Sequence, residues 1–471
     1  MQKKDRPTLT NKFVGQGILL FIDQILVSVT NWLYWIVVST LASTSEIGQA
    51  TSVYSLVFLI STVSQIGLEY PLLKKASLHR SQILGTALSI ELIITSGSIA
   101  AIMFLANTDI YHSSLGQYVY LAIALLVLSP IGFVGRFALL GISNARNVLV
   151  FDLAATIAKF LTAYILLSMG SGVFGILFSF VIASLVAAVT MILIAGRRLS
   201  LRPPRDKGRV IEVLKEGASN APSKLSRTMI ITLSVILLAA YGISDSDIGT
   251  FYIASMISIV GAGLASSMSF TVIPASSESK ADLSSGSLRI GLSLTAPLIA
   301  ALIVAPKDIL AILGMQYAAA HTVLLVLSTG ILPAAIAMNA ISKFNNSGEQ
   351  RKIIAIGLVQ ITGFLASFVI LVPYYDTLGA AYSILIAYLA SSAFSIYWFE
   401  RLQRRYITAS LVAVIIGSAT GYTISLILDY GLIIIISSVV TTFAVVLALR
   451  NTSTSEIRHL IKGMLKPKGS L

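Results

Sequence analysis

Fourteen stretches of this chain are apolar for long enough to cross a hydrocarbon core of about 30 Å, and no other property restricts its fold so severely. They run over 14–41, 48–70, 82–106, 117–140, 148–168, 172–196, 218–241, 248–273, 287–305, 319–341, 353–373, 378–399, 407–427 and 430–449. In lipid every backbone N–H and C=O has to be satisfied within the chain, which leaves helices or a closed barrel. The stretches are too long for transmembrane strands and lack strand-like alternation, so the expected fold is all-α. Charged residues make up 11% of the 471 residues, against about 25% in a soluble domain, and 56% are hydrophobic. The chain thus reads as an integral membrane protein of about 14 transmembrane helices. The apolar run after the basic residues 1–12 exceeds a signal-peptide core and has no small-residue cleavage site, so it is expected to stay as the first span.

The basic residues say which way the helices run. With the N-terminus in the cytoplasm, 28 of the 33 Lys and Arg fall in cytoplasmic connections or tails and one, Lys307, falls outside. The outer connections instead hold Glu46, Asp109, Asp245, Asp247, Asp308, Asp376 and Asp429. This positive-inside pattern predicts a multi-pass protein of the cell membrane with both ends cytoplasmic. It also accounts for the net charge of +13 without nucleic acid. The chain has no cysteine, which excludes disulfides and thiolate chemistry, and its four histidines are too scattered for a metal site.

Four basic residues remain, all inside apolar segments: Arg136, Lys159, Lys224 and Arg227. Lys159 lies roughly 16 Å into its segment, near the bilayer midplane at about 1.5 Å per residue. A charge there usually faces a bundle interior and marks a transport path, or is neutralised by an internal carboxylate. Asp152, Thr156 and Lys159 form one polar line at i, i+4 and i+7, but Asp152 is about 10 Å from Lys159 along a straight helix, too far for a direct pair. Asn220, Lys224 and Arg227 share a face in the same way. Arg136 and Lys224 stand near cytoplasmic ends, where snorkelling is an equal explanation. Among the acids, Asp23 shares a stripe with Gln16, Thr30 and Asn31, Glu91 lies about nine residues into its segment, and Glu69 closes the second. These acids either pair with interior cations or exchange a proton or sodium ion during transport.

The halves repeat at a shift of just over 200 residues. Glu46-Ile47-Gly48 matches Asp247-Ile248-Gly249, Pro71 matches Pro274, Gly172 to Gly175 matches Thr377 to Ala380, and Asn144 to Arg146 matches Gly348 to Arg351. An even number of helices per repeat makes the repeats parallel. The expected organisation is an N-lobe of six helices (1–198), a basic cytoplasmic linker (199–217), a C-lobe of six (218–405), two added helices (406–450) and a basic tail (451–471). Pro130, Pro222, Pro297 and Pro333 are candidate bending points. The linker reads as a solvated loop or as a surface for anionic lipid headgroups.

From Ser45-Glu46-Ile47-Gly48 through Gln65-Ile66-Gly67-Leu68 to Lys74, the chain resembles the opening of the Wzx-type polysaccharide-biosynthesis flippases. These belong to the multidrug/oligosaccharidyl-lipid/polysaccharide (MOP) exporter superfamily. The entrance to the fifth segment and the Gly-rich start of the sixth share the resemblance. It implies a non-enzymatic transporter, acting as a monomer, that moves a polyprenyl-(pyro)phosphate-linked oligosaccharide from the cytoplasmic to the outer leaflet. Membrane lipids and other polysaccharide-assembly proteins are the implied partners. No cofactor is implied beyond coupling to a proton, sodium or the membrane potential. The resemblance also implies lobes in a V around a cationic cavity, with the last two helices lining a groove for the lipid tail. Lys159 and Arg227 would then hold the phosphate, Lys224 and Arg136 would attract it at the cytoplasmic mouth, and Asp152 and Asn31 complete the candidate binding set. Asp23, Glu91 and Glu69 are the candidate coupling acids. Peptidoglycan-precursor flippases of the superfamily carry basic residues where this chain has Asp23, which leaves the sugar open. Alternatives are a cation-coupled drug exporter of the superfamily, a membrane glycan polymerase or glycosyltransferase, and a scramblase. No His-Glu-x-x-His, Gly-x-Ser-x-Gly or P-loop motif supports an enzyme.

Overall fold

The computed structural model describes residues 23, 26–27, 29–65, 67–78, 82–107, 115–142, 144–203, 207–259, 261, 284–428 and 430–449. At 70, 74–75, 77–78, 209, 219–229, 284, 287 and 345–346 it describes the backbone alone. The chain divides into two compact units. One is Val29–Tyr252; the other is built from the described residues of Met1–Ser28 and Ile253–Leu471.

The unit Val29–Tyr252 comprises α1 (Val29–Leu41), α2 (Thr44–Ser64), α3 (Glu69–Leu78), α4 (Ile83–Ala106), α5 (Leu115–Gly141), α6 (Ala145–Ser168), α7 (Gly172–Gly196), α8 (Lys207–Ala240) and the start of α9 (245–259). Its helix ends gather in two places, as alternating passes require. At one end, Leu68, Leu72, Leu84, Leu139, Val148, Ala195, Leu199 and Val213 form a buried core under the predicted cytoplasmic connections. At the other, the first turns of α2 and α9 meet. Each opens on a serine and an acid three residues apart, the reciprocal cap that satisfies free N–H groups at a helix start. The Ser43 N–H and hydroxyl both donate to Glu46 Oε2, at 2.7 and 2.9 Å. Ser244 Oγ donates to Asp247 Oδ2 at 2.6 Å, and the Asp247 N–H returns a bond at 3.2 Å. The repeated acid-Ile-Gly motif is thus a helix cap followed by a crossing point. A Cβ on Gly48 would strike the carbonyl of Asp245, and one on Gly249 would strike the carbonyl of Thr44. Positions 44 and 245 are 201 residues apart, as are 48 and 249, so the contact is reciprocal between repeat-related residues. Thr44 Oγ1 and Ser246 Oγ at 2.7 Å, and Gln49 Nε2 donating to Asp245 Oδ2 at 2.9 Å, complete it.

The second unit carries α10 (Ser284–Val304), α11 (Pro306–Ala311), a 3₁₀ turn (Met315–Ala320), α12 (His321–Thr329), α13 (Ile331–Ser347), α14 (Gln350–Tyr397), α15 (Arg401–Ser425) and α16 (Gly431–Ala448). Its basic connections also gather: Lys343 Nζ donates to Gln403 at 3.1 Å and lies 3.7 Å from Glu400.

Among the described residues, nine helices are long and apolar enough to cross a membrane, with three shorter apolar helices beside them. The chain is a multi-pass, all-helical membrane protein. The sixth expected segment, 172–196, coincides with α7. Segments one and eight fall partly, and the tail 451–471 wholly, outside the described residues. Elsewhere the boundaries move. The second segment stops early: Gly67 takes a left-handed φ of 63°, and the chain restarts as α3. Glu69 therefore opens a helix rather than closing one, with its carboxylate at the favourable, positive end of the dipole. The expected linker is helical from Lys207, because Val210, Val213 and Leu214 recur at i, i+3 and i+4 and pack on the core below α4. The tenth segment is divided among the 3₁₀ turn, α12 and α13. Pro130 and Pro297 sit inside α5 and α10, whereas Pro333 falls in the first turn of α13, where its missing N–H costs nothing.

The eleventh and twelfth segments are two helical stretches, together labelled α14, that meet at a kink at Asp376, which has φ 47° and ψ −126°. That conformation suits glycine and costs another residue about 1–3 kcal/mol. Glycine would return up to about 1 kcal/mol through greater freedom in the unfolded chain. Asp376→Gly is therefore expected to stabilise the detergent-solubilised protein by about 1 kcal/mol. A lower melting temperature than wild type would contradict this.

Candidate functional site

Lys159 lies just past the fourth turn of α6, in a mostly apolar helix, and is only 8% exposed. Its Nζ donates to Asn31 Oδ1 of α1 at 2.8 Å. It also stands 4.2 Å from the Tyr34 ring centroid and 5.1 Å from that of Phe180. These three are its partners among the described residues, and none carries a negative charge.

The box around the ammonium is built from five helices. Asn31, Tyr34 and Trp35 follow one another at i, i+3 and i+4 on α1, which places all three on one face. Tyr34 is fixed at both ends. Its hydroxyl pairs with Ser179 Oγ of α7 at 2.9 Å, and its ring meets Trp35 edge-on at 5.1 Å. Phe180, next to Ser179, stacks on Tyr54 of α2 with centroids 4.2 Å apart. Tyr252 of α9 closes on Trp35 at 4.9 Å. Tyr34 is fully buried, Trp35 3%, Tyr252 6% and Phe180 9% exposed, so the rings cannot easily turn away from the cation.

The energetics leave a positive charge to spare. Removing an ammonium from water costs several kcal/mol. A hydrogen bond to a charged group returns about 1.5–3 kcal/mol, and each desolvated cation–π contact about 1–2 kcal/mol. Together these hold the side chain in place, but amide oxygen and ring faces do not neutralise it. The arrangement can accept an anion.

The other candidates separate from this centre. Asp152 does not serve Lys159. It lies 3.0 Å from Arg136 Nη2 of α5, with side-chain exposures of 13% and 34% for Asp152 and Arg136. Thr156 spends its hydroxyl on the Asp152 carbonyl at 2.8 Å. The polar line on α6 therefore splits into an ion pair near one end and a lone cation in the middle. Lys224 and Arg227 lie on α8, with side chains outside the described residues. Glu91 is 1% exposed within α4, and Glu69 is 9% exposed at the start of α3. Asp23 is 1% exposed and belongs to the other unit. Among the described residues, no group of three His, Cys, Asp or Glu comes together. The aromatic box was not anticipated from the sequence. The spacing of Asn31, Tyr34 and Trp35 was its one local sign, since rings on apolar helices ordinarily mean core packing.

The chain matches no protein-family model and no curated protein. Its structure resembles solved transporters across most of its length. The lipid II flippase MurJ in an inward closed conformation superposes with a TM-score of 0.72 at 13% identity, over 94% of this chain and 99% of that one. An outward-facing multidrug resistance MATE transporter of the MOP superfamily gives 0.59 at 16% identity, over 85% and 96%. The inward-facing conformation of a MATE transporter gives 0.54 at 15% identity, over 85% and 95%.

The ion pair beside the box yields a direct test. Arg136→Ala and Asp152→Ala are each expected to lower stability by about 1–2 kcal/mol, because each leaves a half-buried charge behind. The double variant should lose less than the sum of the two. Additive losses in thermal melts would show that the pair contributes nothing. Capped helices, alternating passes and a long apolar chain have thus converged on one architecture, the fold shared by the MurJ flippase and the MATE transporters.

Proposed function

We propose that this protein is a transporter that flips a polyprenyl-(pyro)phosphate-linked oligosaccharide from the cytoplasmic to the outer leaflet of the cell membrane, with both of its ends in the cytoplasm. The observation that carries this reading is Lys159, buried among Asn31, Tyr34 and Phe180 with no carboxylate partner among the described residues. A phosphate is the anion that such a cation pairs with most strongly, through a charge-assisted hydrogen bond. In this reading the aromatic walls take the sugar faces, and Arg227 and Lys224 of α8 join Lys159 as the site opens.

Movement follows an alternating-access scheme, in which the repeats 1–198 and 218–405 rock about the site. The reciprocal crossing of α2 and α9 is the closed state of one end. It consists of backbone contacts at Gly48 and Gly249, one exposed hydroxyl pair and one half-buried amide–carboxylate bond, and water can replace the hydrogen bonds at a net cost near 1 kcal/mol per bond. Such a seal can open and reform. A second reading, a cation-coupled drug exporter, draws on buried Asp23 and Glu91 and on the likeness to MATE transporters.

Flipping of a polyprenyl-pyrophosphate oligosaccharide in proteoliposomes tests the site. Lys159→Ala is expected to insert normally and lose transport by at least about tenfold, the loss of one charge-assisted bond of about 1.4 kcal/mol or more. Undiminished flipping by the variant would return Lys159 to a structural role. Cargo-independent movement of cationic dyes, with no glycan flipped, would favour the exporter. The scheme has its own test, made clean by the absence of native cysteine. Thr44→Cys with Ser246→Cys, oxidised to a disulfide, should arrest transport, and reduction should restore it. Full activity in the cross-linked protein would sink the rocking scheme.

A further inference from the structure

The segment after α7 holds five exposed cations that make no ion pair among the described residues: Arg197, Arg198, Arg202, Lys207 and Lys215. In other basic connections some cations are held by the chain, although Arg351, Arg401 and Arg405 are exposed as well. Lys343 lies against Glu400, Lys352 bonds to Glu349, and Arg404 donates to the Phe399 and Tyr397 carbonyls.

These cations are not on a loose loop. The Gly85 N–H at the start of α4 donates to the Ser200 carbonyl at 3.2 Å. The carbonyl of Arg202 occupies the space where a Gly85 side chain would stand. Leu199 is buried in the core cluster, and α8 is anchored two turns later by Val213. The backbone that carries Arg197, Arg198 and Arg202, and the helix that carries Lys207 and Lys215, are therefore each held by the fold.

Two large apolar residues are exposed on the same segment, outside the spanning helices. Leu201, between Arg198 and Arg202, is 52% exposed, and Ile211 is 65% exposed. On α8, Lys207, Ile211 and Lys215 follow at i, i+4 and i+8 and are all exposed, while Val213 and Gly217 on the opposite face are buried. A lysine–isoleucine–lysine stripe suits a boundary where an apolar side chain dips toward acyl chains and flanking ammonium groups reach the headgroups. Glu212 is also exposed and Glu216 half-exposed, which leaves a clear cationic excess.

We propose that residues 197–203 and 207–216 form a preorganised docking surface for the phosphate headgroups of anionic bilayer lipid, with Leu201 and Ile211 seated at the acyl boundary. The occupant is bulk lipid rather than the transported carrier. This inference does not depend on the cargo assigned above.

The test uses the full-length protein with Ile211→Cys carrying an environment-sensitive dye. It is reconstituted in phosphatidylcholine alone or in equal parts of phosphatidylcholine and phosphatidylglycerol. The dye is expected to shift to the blue only in the anionic vesicles. That shift should fall at least about fivefold in ~1 M salt, where screening acts within about 3 Å. It should fall similarly when Arg197, Arg198 and Arg202 are changed together to Gln. Equal emission in both vesicles would leave a solvated loop and overturn the proposal. So would a shift that salt and the triple variant leave unchanged, which would mean apolar anchoring alone. Polyprenyl pyrophosphate added to phosphatidylcholine vesicles should not reproduce the shift; if it does, the surface belongs to the cargo and the proposal fails.

Discussion

An ammonium buried among apolar helices has to be held by something, and in this protein the holding groups are neutral. Lys159 rests on one amide oxygen and two ring faces. That choice governs much of the surrounding structure. Tyr34 has to be pinned by Ser179, Phe180 has to be backed by Tyr54, and Trp35 has to be closed by Tyr252, or the rings would turn and the cation would lose its support. A carboxylate would have been a simpler partner and would have cancelled the charge. One stands on the same helix at Asp152, two turns away, where Arg136 takes it. The consequence is a site with positive charge left over for a ligand, at the depth where a bilayer makes charge most expensive.

The repeated helix starts solve a different problem. A helix beginning at a membrane surface leaves several N–H groups without partners. Ser43 with Glu46, and Ser244 with Asp247, satisfy them locally. With the caps complete, the glycines one turn on let the two backbones touch with no side chain between them. The same acid-Ile-Gly motif therefore does two jobs in sequence order: the acid ends the turn and the glycine receives the neighbouring helix. Because the cross-helix side-chain bonds are few and one of them is exposed, the contact is specific in register yet weak enough to separate, which a reversible seal requires.

Much of this fold was legible before any coordinates. Length and apolarity gave helices, because the bilayer offers the backbone no other partner. The bias of Lys and Arg sorted the connections, and the structure gathers the ends of the unit Val29–Tyr252 in that alternation. Boundaries were read less well where a local conformation overrode hydropathy. Gly67 breaks the chain between α2 and α3 within an apolar run, and Val210 to Leu214 extend α8 into a charged stretch.

The sequence by itself determined that Lys159 is costly where it stands, since depth in an apolar span follows from counting residues at 1.5 Å each. It also determined that Asp152 is too far along the helix to neutralise it. Only the tertiary structure decided which groups fill the gap. Asn31 and Lys159 are 128 residues apart, and Tyr34 and Ser179 are 145 apart. Cation–π contact and hydrogen bonding depend on distances of a few ångströms between helices, and no periodicity within one helix encodes those distances.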